Sequence, residues 1–348
     1  MKSLPTLLAL FVGSGVLQPL LISNLGYEGA YERSTLLFLL PNYVGMCFAG
    51  LLRVNVFTKG VFRKGKLTAL CAVDVVSQLL CQYGLAVAGS SLYIIIYSSC
   101  VVWIAILSRL VLGRRLAAAQ WAGCCVVVGG LAITGGDLAS TLLDTSDSTT
   151  VVGGLMILVG SVSHAFTWVL CETMLKEDEP VLPEALSAVM GFAGVATFGA
   201  WQAVYTVPRA DEMVLEPIRH HGNHVPAILA TYAVLTVASL VHAVTFYHLV
   251  GRMGCVTAGV MKGCQAVAVF VASHFLYCSI QSSQCFSMPK AWSLVLVVVG
   301  TTAYALGSRR NGEQVDSTAR YHKFEEGSGA GRSARDIVLA QASSAFRI

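Results

Sequence analysis

Apolar residues occur along this chain in ten long stretches that short polar segments separate. A helix that crosses a membrane needs about 20 consecutive, mostly apolar residues. The pattern therefore predicts ten transmembrane helices, at residues 4–23, 34–52, 67–87, 91–111, 117–135, 151–171, 182–206, 226–250, 254–278 and 291–307. We interpret the first stretch as an uncleaved span, because no convincing cleavage site follows it and Pro19 interrupts its end.

The composition points to the same class of protein. The 348 residues are 55% hydrophobic and 12% charged, and the mean hydropathy is +0.68. Soluble domains have about 45–50% apolar and about 25% charged residues, so this chain has too little charge to cover a soluble surface. The net charge of +4 does not indicate nucleic-acid binding. The expected partners are membrane lipids and a small solute, and a homodimer is left open.

The cysteines and the catalytic motifs narrow the chemistry. Most of the eleven cysteines lie inside apolar stretches, where they act as small apolar fillers. No CxxC or Cys/His spacing indicates zinc, and we expect neither a metal nor a cofactor. No convincing nucleophile–base set, HExxH or paired-Asp motif is present. The sequence therefore predicts no catalytic residues and no enzyme, and an intramembrane enzyme is kept only as a remote alternative.

The distribution of basic residues predicts the orientation in the membrane. The loop 53–66 carries five basic residues and no acidic ones, and Arg109, Arg114 and Arg115 follow the fourth span. Because cytosolic loops are enriched in Lys and Arg, this pattern places both termini in the cytosol. The polar, Gly/Ser-rich segment 308–348 is then expected to be a disordered cytosolic tail.

The two halves of the chain resemble each other. With a shift of 171 residues, WAGCCVVVGGLA (121–132) aligns with WSLVLVVVGTTA (292–303). A duplication would give two repeats, 1–135 and 151–307, joined by a lumenal linker at 136–150. Because each repeat has an odd number of spans, the repeats lie in opposite orientations, as in many transporters. The expected fold is an all-α membrane protein of ten helices in two inverted five-helix repeats.

Two charged residues lie deep within predicted spans. Lys262 has no other charged residue within nine positions on either side, and Asp74 lies at a similar depth in the third span. A lysine at the centre of a spanning helix costs roughly 2.5–3.5 kcal/mol, and such residues often line a substrate route. Asp74, Gln78 and Gln82 recur every four residues and form one polar face. We interpret Lys262, Asp74 and Gln78 as substrate-binding residues, and we expect Asp74 to pair with Lys262 when no substrate is bound.

Two amides beside prolines extend this set. Gln18 precedes Pro19 in the first span, and Asn42 follows Pro41 in the second. Broken helices in transporters expose backbone groups to substrate. We therefore include Gln18 and Asn42 among the candidate substrate-binding residues.

A further polar face runs along the sixth span. His164, Trp168 and Glu172 recur every four residues, so they share one side of the helix. We interpret His164 as a structural, hydrogen-bonded residue and place Glu172 at the cytosolic end of the span.

With these features the chain resembles the drug/metabolite transporter superfamily, in particular its nucleotide-sugar transporter and EamA-like branch. The segment VMKG (260–263) matches a lysine–glycine pair in that family's ninth span, and Tyr93 and Tyr97 match its Tyr-x-x-x-Tyr motif. The segment LGRRLAAAQWAG (112–123) resembles its turn into the fifth span. The segment YSSC (97–100) lacks the lysine that the CMP-sialic-acid and UDP-galactose type carries there.

The resemblance implies an alternating-access antiporter of an organic anion such as a nucleotide sugar. Lys262 would bind the anionic group, and Tyr93 and Tyr97 would stack on a ring or bond to a sugar. The expected location is an endomembrane, the Golgi or a related membrane, with the plasma membrane or vacuole as alternatives. A carrier of a neutral or cationic metabolite or drug, coupled to protons through Asp74, is the second hypothesis.

The loop between the last two spans contains Cys278 and Cys285, with six residues between them. The predicted orientation places this loop in the lumen, where an oxidising environment permits disulfides. We state their pairing as a hypothesis, since the sequence alone does not decide it.

Overall fold

The computed structural model describes residues 3–53, 64–114, 116–133, 148–177, 180–222 and 224–310. Regular structure within these ranges is helical throughout. The ten principal helices are α1 (Leu4–Tyr27), α2 (Leu40–Phe48), α3 (Lys64–Ser98), α4 (Cys100–Leu112), α5 (Ala118–Ile133), α6 (Ser148–Lys176), α7 (Pro183–Trp201), α8 (Val225–Met253), α9 (Cys255–Tyr277) and α10 (Met288–Arg310). The prediction of an all-α fold is thereby confirmed.

Eight helical segments of the described chain are long and apolar enough to cross a membrane. The predicted spans 34–52 and 117–135 instead correspond to two shorter apolar helices, Leu37–Leu51 and Ala118–Ile133. At 1.5 Å per residue, the 16 residues of Ala118–Ile133 extend about 24 Å, less than the roughly 30 Å hydrocarbon core. The eight long helices agree with a multi-pass membrane protein, and the count of ten crossings remains a prediction. The linker and the tail lie outside the described residues, apart from 148–150 and 308–310.

A glycine separates the third and fourth apolar segments. The helix Lys64–Ser98 contains a non-helical residue at Gly89, where φ is 80° and ψ is 169°. Such a positive φ suits glycine, which has no Cβ. The break separates the apolar segment Gly65–Gly89 from the segment Leu92–Leu112, which continues through α4. Both agree with the predicted spans 67–87 and 91–111. Tyr93 and Tyr97 therefore belong to the fourth segment.

Helices of the first half of the chain pack against helices of the second half. The most extensive pairs are α3 with α6, α5 with α10, α1 with α8, and α2 with α7, and α4 contacts both α6 and α9. Glycines allow the closest approaches: a Cβ on Gly123 of α5 would lie 2.6 Å from the carbonyl oxygen of Gly300 on α10. Small residues have this role at helix interfaces in membranes.

The two ends of the bundle differ in their contacts: ion pairs between residues distant in sequence lie at one end, and a disulfide lies at the other. At one end, which we name the Arg114 end, α4, α6 and α8 finish and α3, α5, α7 and α9 begin. There His248 lies 3.1 Å from Glu184, and Lys66 pairs with Glu177. We name the opposite end the disulfide end. If the predicted orientation holds, the Arg114 end faces the cytosol.

The disulfide end contains the Cys278–Cys285 bond, which confirms the pairing hypothesis. Nearby, the Tyr27 hydroxyl donates a hydrogen bond to Gln281 Oε1 at 2.9 Å, so the end of α1 contacts the loop that contains the disulfide. Among the described residues, one group of side chains could gather around a metal ion: His274 and the two bonded cysteines. Since both sulfur atoms form the disulfide, only His274 keeps a free ligand atom there.

Candidate functional site

A cavity of about 490 Å³ lies between the two halves of the bundle. All seven residues that the sequence singled out line it: Gln18, Asn42, Asp74, Gln78, Tyr93, Tyr97 and Lys262. Its volume falls within the roughly 300–1,000 Å³ of small-molecule sites. The structure therefore brings the candidates together, and their contact with a substrate remains a prediction.

Lys262 extends from α9 towards aromatic rings. Its Nζ lies 5.2 Å from the ring centroid of Trp168 and 5.8 Å from that of Tyr97. A cation this close to an aromatic face is attracted by the negative charge of the ring surface. Lys262 is the only Lys or Arg among the described residues that line the cavity. The ammonium is held in place without being neutralised.

Asp74 is 7% exposed and has a different partner from the one expected. The Tyr43 hydroxyl donates a hydrogen bond to Asp74 Oδ2 at 3.0 Å. Within the described part of the chain, no ion pair joins Asp74 to Lys262. The expectation that the two charges pair directly in the empty protein is therefore wrong for this conformation, because Tyr43 binds the carboxylate and the rings of Trp168 and Tyr97 face the ammonium.

His164 connects the two charged regions. The Trp168 Nε1–H donates to His164 Nε2 at 3.1 Å, and His164 Nδ1 lies 3.5 Å from the Ser77 hydroxyl. Because tryptophan only donates, Nε2 is the accepting nitrogen, and the ring proton belongs to Nδ1. Ser77 in turn donates to the Asp74 carbonyl oxygen at 2.7 Å. The network supports the interpretation of His164 as structural.

Tyr93 and Tyr97 stack on each other, with ring centroids 5.1 Å apart and an angle of 10° between planes. The spacing of four residues places the two rings on one side of the helix. Both rings line the cavity. Together they form an aromatic wall beside Lys262, whose Nζ faces the Tyr97 ring.

Pro19 and Pro41 were expected to lie at breaks within their helices, and the structure places the two differently from each other. Pro19 lies inside α1, which continues to Tyr27, and Pro41 lies in the first turn of α2. Proline is tolerated at a first turn because the N–H it lacks would have no partner there. The break expected beside Pro19 therefore does not occur. Beside Pro41 the predicted span is interrupted, because the 3-10 helix Leu37–Leu39 ends there and α2 begins at Leu40. Asn42 reaches the cavity from the start of α2, where Ser239 donates a hydrogen bond to its Oδ1 at 2.7 Å.

The sequence did not identify Phe246 and Gln265 as residues of the wall, and it named Trp168 only as a member of the polar face of the sixth span. Trp168 and Phe246 pack edge to face at 4.6 Å, and Gln265 donates to the Phe11 carbonyl oxygen at 2.7 Å. An aromatic residue in an apolar helix gives no signal of its own. Gln265, however, lies three residues after Lys262, on the same face of α9, and this spacing could have identified it.

The cavity reaches one end of the bundle and stops short of the other. At the disulfide end it is lined by Phe38 and Tyr93, each the second residue of its apolar segment. On α9 the first lining residue is Lys262, seven positions after Cys255. At 1.5 Å per residue, about 10 Å of α9 separates the cavity from the Arg114 end. On α6, by contrast, the lining reaches Cys171, the residue before Glu172, so Glu172 lies directly beneath the floor of the cavity. The structure thus has the cavity extended towards the disulfide end and closed at the Arg114 end.

A buried carboxylate lies in this closed end. Glu172 is fully buried, and its Oε1 lies 2.5 Å from Arg114 Nη2 and 2.9 Å from Lys176 Nζ. The backbone N–H of Cys255 donates to Glu172 Oε2 at 2.7 Å. Two cations and one helix N-terminus therefore share a single carboxylate.

Comparisons with known proteins show the fold and no more. No family model matches the sequence, and no curated protein matches it. A protein known from its crystal structure has a TM-score of 0.65 to this chain, with 15% sequence identity. The match covers 86% of this chain and 98% of the other. The chain is similar to that protein over nearly its whole helical part, so the fold occurs in solved structures.

Proposed function

We propose that this protein is an alternating-access transporter of a small organic solute that carries an anionic group. The observation that supports it most directly is Lys262, the only Lys or Arg of the described cavity wall, which lies between the halves of the bundle. A lysine is a compact point charge that suits phosphate or carboxylate. A buried lysine without a carboxylate partner has its charge available for a ligand.

The packing of the helices supports two related halves. In two repeats of five helices, α1 corresponds to α6 and α3 corresponds to α8. The pair α1–α8 of one arrangement is then equivalent to the pair α6–α3, and both pairs pack together. Likewise α1–α9 becomes α6–α4, again two packed pairs. This correspondence is what an inverted repeat of five helices would produce, and transporters of that kind bind substrate at the repeat interface.

The substrate class follows from the chemistry of the wall. The aromatic wall of Tyr93 and Tyr97 suits a flat ring, and Gln18 and Gln78 offer neutral hydrogen bonds to hydroxyl groups. A nucleotide sugar, exchanged across a Golgi-type membrane by a drug/metabolite transporter, would combine these groups. A single lysine would neutralise only part of a diphosphate, so anions with less charge fit the site better.

Asp74 favours a second candidate. Its carboxylate lines the same cavity and lies outside ion-pair distance of Lys262. A neutral or cationic solute, or a proton carried with it, would bind such a group. The two candidates differ in which charged residue transport requires.

Transport into proteoliposomes tests the proposal. The purified protein would be assayed with a panel of nucleotides, nucleotide sugars and amines. We expect uptake of an anionic solute that Lys262→Ala abolishes and Lys262→Arg restores little, because a planar guanidinium does not replace a point charge. Lys66→Ala, which changes an exposed lysine, is the control and should transport normally.

Two outcomes would count against the anion proposal. Uptake by a folded Lys262→Ala protein at near wild-type rates would show that the lysine binds no substrate. Uptake of amines that Asp74→Asn abolishes, with Lys262→Ala active, would favour the second candidate.

A further inference from the structure

The buried carboxylate of Glu172 connects the two halves of the chain. Arg114 lies in the connection between α4 and α5, in the first half, whereas Glu172, Lys176 and Cys255 belong to the second half. These four residues form what we call the Glu172 network. Among the described residues, this network joins the two halves at the closed end through a carboxylate that is wholly buried.

We propose that the Glu172 network is a latch that keeps the Arg114 end closed and that breaks when the cavity opens there. The proposal rests on the proposed transport function, because only alternating access requires this end to open. It adds to that function a specific gate and the residues that form it.

The electrostatics suit a switch with two states. A buried carboxylate is stable when charge-assisted donors surround it, and removing one donor leaves charge in a dry environment. Glu172 has three such donors in the closed conformation. If the end opens, water can solvate the separated charges, which offsets the loss of the ion pairs. A partly opened state has neither form of stabilisation, so the end is either closed or open.

Two helices connect the latch to the cavity. On α6, Trp168 lies four residues before Glu172 and contacts the Lys262 ammonium. On α9, Cys255 bonds to Glu172 and Lys262 follows seven residues later. A solute that binds Lys262 or moves Trp168 therefore acts on the same two helices that the latch holds.

The turn between α8 and α9 is shaped around Arg114. Gly254 has a φ of +92°, and a Cβ at this position would overlap the Arg114 guanidinium. The guanidinium thus lies directly over the backbone of the turn before it reaches Glu172. This placement ties the α4–α5 connection to α8 as well as to α6 and α9.

The same end of the bundle offers a matched control. Lys66 and Glu177 form an ion pair there, but the Lys66 side chain is 44% exposed. Exposed pairs contribute about 0–1 kcal/mol. Breaking this pair removes a charge interaction at the Arg114 end without disturbing a buried one.

The native thiol of Cys255 can report on the latch, since it is fully buried beside Glu172. The full-length protein in lipid nanodiscs would be treated with a water-soluble maleimide, and labelling of each cysteine would be followed by peptide mass spectrometry. Cys125 lies in the middle of the apolar helix α5, so it should stay unlabelled in every folded variant and reports on general loosening of the protein. We expect Arg114→Gln to label Cys255 about tenfold faster or more, as the loss of one charge-assisted hydrogen bond predicts. Lys66→Gln should label like the wild type.

Wild-type labelling of Cys255 in a folded Arg114→Gln protein would overturn the latch, and so would equal acceleration in Lys66→Gln. If Arg114→Gln does not fold, Glu172→Gln removes the charge that Arg114 binds across the halves while keeping a side chain of the same size, and it decides between the same outcomes. The assay uses no solute. A latch that behaves as expected in a protein without anion transport would refute the proposed substrate alone.

Discussion

At the residue scale, two charged side chains of apolar segments, Lys262 and Asp74, have aromatic partners in the cavity. Lys262 and Asp74 stand out because lipid penalises any charge that does not face a cavity or a partner, and both line the cavity. Their partners could not be predicted. Tyr43 and Trp168 are rings in apolar segments, and such rings most often serve as packing. Only the fold shows that one binds a carboxylate and the other an ammonium.

The hydrogen bond between Tyr43 and Asp74 leads to a prediction about stability. Tyr43→Phe leaves a buried carboxylate without its donor and should lower the free energy of unfolding by about 1–3 kcal/mol. In an Asp74→Asn background the same change should cost less, because the acceptor is then neutral. Thermal unfolding in detergent would measure both.

An exposed tyrosine of α3 supplies the control for the comparison of Tyr43→Phe in the two backgrounds. Tyr83 is 61% exposed, and Tyr83→Phe should leave the unfolding midpoint unchanged. Equal costs of Tyr43→Phe in both backgrounds would mean that the hydrogen bond does not stabilise Asp74.

At the element scale, the length of the apolar stretches predicted where helices occur, but it predicted their ends less reliably. The boundary between the third and fourth segments falls at Gly89, close to the predicted gap at 88–90. The break expected beside Pro19 is absent, since that proline lies within a continuous helix, whereas Pro41 lies where α2 begins inside the predicted span 34–52. A proline restricts its own turn, whereas tertiary packing decides whether the helix continues.

The contact between α5 and α10 gives a prediction about helix packing. A Cβ on Gly123 would press against the Gly300 carbonyl oxygen, so Gly123→Ala must push the helices apart. Overpacking of this kind typically costs about 1–3 kcal/mol. Gly129 lies on the same helix with nothing within 4 Å of an added Cβ, and Gly129→Ala should be neutral or stabilising, because alanine favours helix.

Unfolding midpoints of the two alanine variants, measured under the same conditions, provide the comparison. A Gly123→Ala protein as stable as Gly129→Ala would mean that α5 and α10 do not pack as closely as the structure has them.

At the scale of the whole molecule, the sequence pointed to a transporter-like bundle and could not show its conformational state. The alignment of Trp121 with Trp292 suggested related halves, and the paired packing of α1–α8 and α3–α6 agrees with such halves. The latch that we propose at the Arg114 end depends on Glu172, which sequence reasoning placed only at a span's end. Its burial arises from Arg114 and Cys255, which are distant in sequence, so no local pattern reveals it.

The orientation of the molecule in its membrane gives the last prediction. The positive-inside rule places the Arg114 end in the cytosol, and the disulfide then lies in the lumen, where an oxidising environment preserves it. In sealed vesicles with the cytosolic side outward, a membrane-impermeant reductant should leave the Cys278–Cys285 bond intact. After permeabilisation the same reductant should break it, and alkylation would then mark both thiols. Reduction in sealed vesicles would reverse the orientation and place the closed end of the cavity on the lumenal side.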